Sequence, residues 1–262
     1  MELDDKYKHI EQNTWLTSSG RKFLVDPEAS KLLENLREKN IRSIKEVASI
    51  KRGVLFDKTL LKDHKKDSSY FPYFEGDVYR YVVNLKLEKW IAFDEKLKEK
   101  PKEFIWFENQ RILLRRLVNR QQRLMASVVD DTFISNKNLY SIITKSPRDL
   151  HSLLGILNSK LLSYLYLKQV TQAAKDDFPQ VTIKDILALP FPTEDILARN
   201  HDRLVALVET MLTLHKQLAA ARLPDEKERL QRQITTTDRQ IDQLVYQLYD
   251  LTPEEIAIVE GS

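Results

Sequence analysis

The most regular pattern of apolar positions in this 262-residue chain lies near its C-terminal end. Two series of residues, almost all apolar, alternate there in steps of three and four, the spacing of a helix face that packs in a coiled coil. They are Leu204, Leu207, Met211, Leu214 and Leu218, then Leu230, Ile234, Thr237, Ile241, Leu244, Leu248 and Leu251. Leu223-Pro224-Asp225 suits a turn between them. The pattern predicts two antiparallel helices over residues 200–250, and it favours a pair within one chain over an intermolecular coiled coil.

Three further helices follow from local signals. A broad apolar stripe predicts a helix from Leu150 to Lys168, after which Pro190 and Pro192 end regular structure. A proline in the first turn and leucines on one side predict a helix from Pro27 to Asn40. Thr252-Pro253-Glu254-Glu255 is a capping box with proline at the first helical position, so a short last helix is expected to begin there.

Between these helices the pattern changes to short runs rich in β-branched and aromatic residues. Val78–Val83 and Leu139–Ile143 are bounded by turn-type residues and predict strands. Gly53 and Gly76 predict tight backbone turns. Hydrophobic period alone leaves Arg111–Val129 open between a helix and strands. The chain as a whole is expected to have an α+β fold built on a small mixed sheet.

The order of these elements suggests three segments. We expect an N-terminal helical entry segment over residues 1–46, a mixed region with short strands over residues 47–192, and a helical hairpin with a short C-terminal helix over residues 193–262. The five glycines are spread along the chain and form no Gly/Ser linker.

Composition and charge exclude several classes of protein. The absence of cysteine excludes a disulfide framework and a thiolate zinc site. No apolar run reaches the roughly 18 residues that cross a bilayer, and the N-terminus lacks the pattern of a secretion signal, so we expect a cytoplasmic protein without membrane contact. The net charge of +3 divides into −3 over residues 196–262 and +6 over the rest. That balance is too modest for bulk binding to a polyanion, but it allows a local basic face.

Arginines are concentrated in one segment without acids. No Asp or Glu occurs from Asn109 to Val129, and five arginines fall there within 13 residues: Arg111, Arg115, Arg116, Arg120 and Arg123. The planar donor fork of arginine suits phosphates and the O6/N7 edge of guanine, and the amide of Asn119 suits an adenine edge. The alternative is a solvated strand face whose arginines pair with acids from elsewhere in the fold.

Six aromatic residues lie between Tyr70 and Tyr81. Rings beside basic residues can stack on extruded bases, but such a run also suits the core around a short strand, which is the interpretation we favour. If Tyr79, Arg80 and Tyr81 alternate along a strand, Arg80 points away from both tyrosines. We therefore expect Arg80 to be exposed and able to contact phosphate.

Two features bear on metal chemistry. Pro224-Asp225-Glu226-Lys227 is similar to the acidic-plus-lysine signature of metal-dependent nucleases, but that chemistry needs carboxylates on adjacent strands, and this segment lies at a predicted helical turn. The five histidines show no ligand spacing: His9, His64, His151, His201 and His215. We expect neither a metal site nor a nuclease.

Six motifs follow one another along the chain. They are IKRGVLFDKTLL from Ile50, PYFEGDVYRY from Pro72, RILLRRLVNR from Arg111, LLGILNSKLLSYLY from Leu153, FPQVTIKDILALPFP from Phe178 and DQLVYQLYDLTPEEI from Asp242. In this order they resemble the TaqI-like C-terminal specificity domain of adenine-specific DNA methyltransferases and fused restriction–modification enzymes. Trp15-Leu16 and the helix after Pro27 resemble the segment that leaves the methyltransferase domain.

The resemblance implies that residues 47–192 are a target recognition domain. Such a domain holds double-stranded DNA at a specific site for a methyltransferase domain in the same parent chain or in a separate subunit. It favours two strands, Ile112–Leu117 and Leu124–Val128, in the arginine-rich segment. The residues that we expect at the DNA are Arg52, Lys58, Arg80, Arg111, Arg115, Arg116, Asn119, Arg120 and Arg123.

The catalytic half of such enzymes has no counterpart in this sequence. An adenine methyltransferase needs a glycine-bearing cofactor loop and an Asn/Asp-Pro-Pro-aromatic motif for the flipped base, whereas no two glycines lie within 20 residues of each other and no Pro-Pro pair occurs. We expect no catalysis and no cofactor here; S-adenosylmethionine would serve a catalytic domain elsewhere. The chain would then be a piece of a larger enzyme or a stand-alone specificity subunit. The alternative is a protein-interaction module that binds no DNA and docks a partner through its coiled-coil arms.

Overall fold

The structure is a computed structural model that describes residues 27–39, 41–118, 122–169 and 180–261. Its helices are α1 (Pro27–Glu38), α2 (Ile44–Val47), α3 (Asp149–Asn158), α4 (Lys160–Gln169), α5 (Ile183–Leu187), α6 (Glu194–Ala198), α7 (His201–Ala220), α8 (Pro224–Leu248) and α9 (Pro253–Glu260). Its strands are β1 (Arg42–Ser43), β2 (Ala48–Arg52), β3 (Tyr70–Tyr73), β4 (Asp77–Tyr79), β5 (Val82–Asn84), β6 (Lys89–Ala92), β7 (Arg111–Arg115), β8 (Ala126–Val129), β9 (Leu139–Thr144) and β10 (Pro190–Phe191). This arrangement confirms the predicted α+β fold. Trp15-Leu16, named in the resemblance, and the predicted helix end at Asn40 lie outside the described residues.

A four-stranded antiparallel sheet in the order β2-β9-β7-β8 lies at the centre of the protein. Alternate side chains of β7 point to opposite faces. Ile112 and Leu114 belong to the main core, while Leu113 packs with Phe74 and Phe133 on the other face. The two strands predicted in the arginine-rich segment are confirmed by β7 and β8, and β9 confirms the strand predicted at Leu139.

Three two-stranded sheets, β1-β10, β3-β6 and β4-β5, flank the central one. In the first, Ser43 pairs with Pro190, so regular structure does not stop at this proline as predicted. A strand at a sheet edge tolerates proline, because the missing N–H is not needed on its free side. The Pro190 carbonyl is also used, since it accepts a hydrogen bond from the Tyr249 hydroxyl at 2.8 Å.

The strand predicted over Val78–Val83 is a hairpin instead. β4 ends at Tyr79, Arg80 and Tyr81 form the turn, and β5 begins at Val82. Tyr81 has a φ of 63°, outside the range of a strand residue, and its backbone N–H donates to the Ala126 carbonyl at 2.9 Å. Because valines flank the two-residue turn on both sides, the segment has the composition of one longer strand. The sequence pattern therefore did not predict the turn.

The single helix predicted from Leu150 to Lys168 is divided at Ser159. This residue is extended, with a ψ of 158°, and its hydroxyl accepts from the N–H of Leu162 at 3.2 Å at the start of α4. The break allows the Asn158 side chain to pair with both backbone groups of Ala126 on the edge strand β8, at 3.0 and 2.9 Å. The leucine stripe continues across the break, so the period alone did not indicate it.

The predicted helical hairpin is confirmed by α7 and α8, most of whose predicted apolar positions are buried, and α9 begins at the predicted capping box. The main core contains buried residues from Leu32 to Val259 and therefore extends across Pro192. The division into residues 1–46, 47–192 and 193–262 does not separate hydrophobic interiors, and it stands as a proposal about function.

Gly53 and Gly76 mark close approaches between backbones. Neither has a φ in the left-handed region. A Cβ atom at Gly53 would lie 2.2 Å from the Asn136 carbonyl oxygen, and one at Gly76 would lie 1.7 Å from that of Asn84. Both positions therefore exclude any side chain.

A candidate nucleic-acid interface at one end of the sheet

Two of the predicted arginines lie together at one end of the central sheet. Since β2 and β7 both run antiparallel to β9, both end where β9 begins: Arg52 and Leu114 pair with Tyr140 from opposite sides. Arg116 follows β7, and its backbone N–H donates to the Asn138 carbonyl at 2.9 Å. We call Arg52, Arg116, Tyr140 and Gln180 the arginine cluster.

The arginine cluster is partly exposed. The Arg52 side chain is 33% exposed, and a terminal nitrogen lies 3.4 Å from the Glu99 carboxylate. The Arg116 guanidinium donates to the side-chain oxygen of Gln180 at the surface. Burial raises the pKa of Tyr140, while the positive charges of Arg116 and Arg52 lower it in part. The Tyr140 hydroxyl donates a hydrogen bond to the Val181 carbonyl at 2.7 Å. The cluster thus presents two arginine forks beside a neutral phenol.

Arg115, the last residue of β7, has different surroundings from Arg116. Its guanidinium carbon lies 6.0 Å from the centroid of the Tyr79 ring, on the β4–β5 hairpin, while its neighbour Arg116 contacts Gln180. Tyr79 is 40% exposed, so the cation and the ring form a surface pair. The two adjacent arginines therefore offer different surroundings to a ligand.

Arg111 is a correction to the predicted DNA contacts, because its side chain is fully buried. One terminal nitrogen donates to the carbonyls of Asn109 and Asp131 at 2.9 Å each, and the guanidinium lies 4.7 Å from the centroid of the Phe133 ring. Burial lowers the pKa of Arg111 to about 10, and Asp131 is the largest of the charges that oppose this shift. A side chain without exposed surface cannot contact DNA in this fold.

Arg80 and Arg123 are a second correction, since both extend inward toward α8. Arg80 does not point to solvent as predicted: it pairs with Asp238, with one contact of 3.0 Å, and its Nε donates to the Asn158 carbonyl at 3.1 Å. Arg123 donates to the same carbonyl at 2.7 Å and lies 3.8 Å from the Asp242 carboxylate. The turn conformation at Arg80 explains the difference, because alternation along a strand does not apply there.

The remaining predicted contacts fall in two groups. Lys58 is exposed, in a short 3-10 helix over Lys58–Leu60 that Asp57 caps. Asn119 and Arg120 lie outside the described residues. Of the seven predicted residues that the structure describes, Arg52 and Arg116 lie together, and Arg115 and Lys58 are accessible on other parts of the surface. Arg111 is buried, and Arg80 and Arg123 extend inward.

The aromatic run is mainly core, as the favoured interpretation predicted. Tyr73, Phe74 and Tyr81 are buried, and Phe74 stacks on Phe133 with ring centroids 5.1 Å apart. Tyr79 is the most exposed of the run, and it lies beside Arg115.

A pocket of about 460 Å³ beside Gly53 is lined by residues that the sequence did not indicate as part of a site. It adjoins the arginine cluster through Arg52 and is also lined by Lys51, Lys100, Lys102 and Trp106. The lysines at every second position from Lys96 to Lys102 are a signal in the sequence, but such a charged run also fits an ordinary solvated loop.

Within the described residues, no group of three or more His, Asp or Glu side chains could hold a metal ion. Pro224, Asp225 and Lys227 lie at the exposed start of α8, as expected for a hairpin turn. His215 is half-buried and stacks on Tyr81, with ring centroids 6.5 Å apart. No helix in the described part of the chain is long and apolar enough to cross a membrane.

Comparison with known proteins supports the resemblance that the six motifs indicated. Residues 71–191 match the family model of the TaqI-like C-terminal specificity domain, which confirms the predicted resemblance. Over 229 residues the chain is 32% identical to a protein of Methanocaldococcus jannaschii whose name, RM.MjaORFECS2P, denotes a type II restriction enzyme and methyltransferase. The alignment covers 86% of this chain and 18% of that relative, so the chain spans less than a fifth of the relative's length.

Two solved structures share this fold. The type IIG restriction endonuclease BpuSI superposes with a TM-score of 0.50 at 12% identity, over 88% of this chain and 34% of the endonuclease. The type IIL restriction–modification enzyme MmeI, solved in complex with DNA, superposes with a TM-score of 0.53 at 12% identity, over 84% of this chain and 36% of that enzyme. At such low identity the likeness establishes the fold.

Proposed function

We propose that this chain recognises a specific sequence in double-stranded DNA for a methyltransferase domain of a restriction–modification system. The match of residues 71–191 to the TaqI-like specificity domain carries the proposal. The arginine cluster supports it, because arginine forks at an accessible sheet end suit phosphates and guanine edges. MmeI, which has the same fold, was solved with DNA.

The contacts divide by accessibility. We assign Arg52 and Arg116 to the centre of the interface, with Arg115, Lys58, Asn119 and Arg120 as further contacts. Arg80, Arg111 and Arg123 serve the proposal indirectly, since each holds elements of the protein in place.

In this proposal the methyl-transfer reaction is carried out by another domain. The chain itself performs no catalysis and needs no cofactor, while the methyltransferase domain, in the same parent chain or in a partner subunit, would use S-adenosylmethionine. In this proposal the protein acts on DNA in the cytoplasm.

Fluorescence anisotropy with a labelled duplex, from about 0.05 to about 0.3 M salt, tests DNA binding. We expect weak binding, on the order of micromolar at physiological salt, as for non-specific contacts. If roughly four phosphates are contacted, the slope of log K against log salt concentration should be about −3.6. A protein that binds no duplex at any of these salt concentrations would contradict the proposal and favour the protein-interaction alternative.

A further inference from the structure

The pocket beside Gly53 has walls that are fixed by backbone contacts. Leu55 and Glu99 exchange hydrogen bonds of 2.9 and 3.1 Å, which tie the lysine-rich segment to the chain that follows β2. Gly53 itself donates to the Leu139 carbonyl at 3.0 Å, and its lack of a side chain permits the contact with Asn136. Lys51, Arg52 and Lys102 are therefore carried by segments with fixed backbones.

The charge of the pocket is positive. Its lining has four cationic side chains and two carboxylates, those of Glu99 and Glu103. The cations are Lys51, Arg52, Lys100 and Lys102. Lys100 is already paired, with its ammonium 2.7 Å from the Glu95 carboxylate. Lys51 and Lys102 are exposed, and neither makes an ion pair with any residue in the described ranges. Their ammonium groups are thus available to an anionic ligand.

The chemistry of the lining suits a DNA backbone. No Asn, Gln, Ser or Thr side chain lines the pocket, so charged side chains, rather than amides or hydroxyls, would contact a ligand there. Lysines bind phosphate as point charges, and the half-buried Trp106 offers an apolar surface to a sugar. A pocket of about 460 Å³ is large enough for a segment of nucleotide size.

We propose that this pocket holds the phosphate–deoxyribose backbone of one strand of the bound duplex, with Lys51, Arg52 and Lys102 on phosphates and Trp106 against the sugar. The inference rests on the proposed DNA-binding function and adds a site to it. Phosphate contacts fix the register of a protein on DNA, whereas contacts to base edges specify the sequence. The pocket, including Arg52, therefore supplies affinity, and Arg116 of the neighbouring arginine cluster supplies specificity.

The test is a double variant, Lys51→Ala with Lys102→Ala, compared with a control in which the exposed hairpin lysines are replaced, Lys216→Ala with Lys227→Ala. Both pairs remove the same charge. We expect the pocket variant to lower the log–log salt slope by about 2 and to weaken binding at about 0.1 M salt by roughly tenfold for each lysine, with the same preferred sequence as the parent. The control should bind like the parent.

A second variant, Glu99→Gln, removes the carboxylate that competes with phosphate for Arg52 while keeping the backbone contact to Leu55. We expect it to bind duplex more tightly, by up to about fivefold. Thermal unfolding of all variants checks that each one folds.

The outcomes separate the two proposals. If the parent binds duplex and the pocket variant binds with an unchanged salt slope, the pocket inference is wrong while the DNA-binding function stands. If the pocket variant changes the preferred sequence, the pocket contacts bases and the backbone assignment is wrong. If the parent binds no duplex, both proposals fall together.

Discussion

At the scale of single residues, arginines from one acid-free segment have opposite roles. Arg111 is fully buried, while Arg116 reaches the surface five residues later. The difference follows from their partners: backbone carbonyls surround the first, and a side-chain amide meets the second. Residue type alone therefore does not identify the DNA contacts.

Replacing Arg111 by Met should destabilise the fold without a direct effect on DNA contacts. The carbonyls of Asn109 and Asp131 would lose their buried donor, so we expect a loss of roughly 2–4 kcal/mol in the free energy of unfolding. The matched change Arg116→Met, at a half-exposed position, should cost less than about 1 kcal/mol. Urea denaturation followed by circular dichroism measures both, and equal losses would contradict the assigned roles.

Arg116→Ala and Arg115→Ala should affect DNA binding unequally. Arg116 lies beside Arg52 in the arginine cluster, so its loss should cost about 1–3 kcal/mol and relax the preference at one base position. Arg115 lies against Tyr79 on another side, and its loss should lower the salt slope by about 1 for every sequence alike. Anisotropy on a preferred and a scrambled duplex separates these effects. Identical behaviour of the two variants would place the interface elsewhere.

The sequence predicted which residues are cationic, but not which are accessible. The Asp131 carbonyl that Arg111 contacts lies 20 residues along the chain, and the counter-charges of Arg80 and Arg123 come from α8, far along the chain. Burial of this kind depends on tertiary contacts that no local pattern contains. The Lys51–Lys102 pocket was missed for the same reason, since its two sides lie on separate segments.

At the scale of elements, a partly buried ionic network joins the β4–β5 turn to the helical hairpin. Arg80 pairs with Asp238, Arg123 lies near Asp242, and both guanidinium groups donate to the Asn158 carbonyl between α3 and α4. Asp242 also accepts from the backbone N–H of Lys160 at 2.8 Å. Burial raises the pKa of Asp242 and lowers that of Arg123. Four elements thus meet at one cluster of charges.

Removing one partner of this network should cost more than removing both. Asp238→Ala leaves the largely buried Arg80 without its counter-charge, so we expect a loss of about 2 kcal/mol in the free energy of unfolding. The double variant Arg80→Met with Asp238→Ala should lose less, because no unpaired charge remains. A double-mutant cycle in urea gives the coupling energy. A cycle in which the two losses add would show that the pair is not coupled.

The sequence predicted elements best where one period runs uninterrupted. The hairpin helices α7 and α8 have long regular series, and their boundaries were confirmed. The errors lie at short interruptions: the turn at Arg80-Tyr81 and the break at Ser159. At both interruptions a residue forms a hydrogen bond with Ala126 on the edge strand β8. A periodic pattern does not encode such contacts.

At the scale of the whole molecule, one core carries the sheet and the hairpin, and the candidate interface lies at one end of that sheet. If recognition and chemistry belong to different domains, this chain should not bind S-adenosylmethionine. Isothermal titration calorimetry with the cofactor should give no heat of binding. Micromolar binding at unit stoichiometry would contradict the assignment of catalysis to another domain.

The central claim is that this chain selects a DNA sequence. Selection from a pool of randomised duplexes, with bound molecules recovered and sequenced over successive rounds, tests it most directly. We predict enrichment of one short motif by the parent, and weaker enrichment at one position of that motif by Arg116→Ala. Recovery of bound duplexes without any enriched motif would reduce the protein to a non-specific DNA binder, and failure to recover duplex would contradict the account altogether.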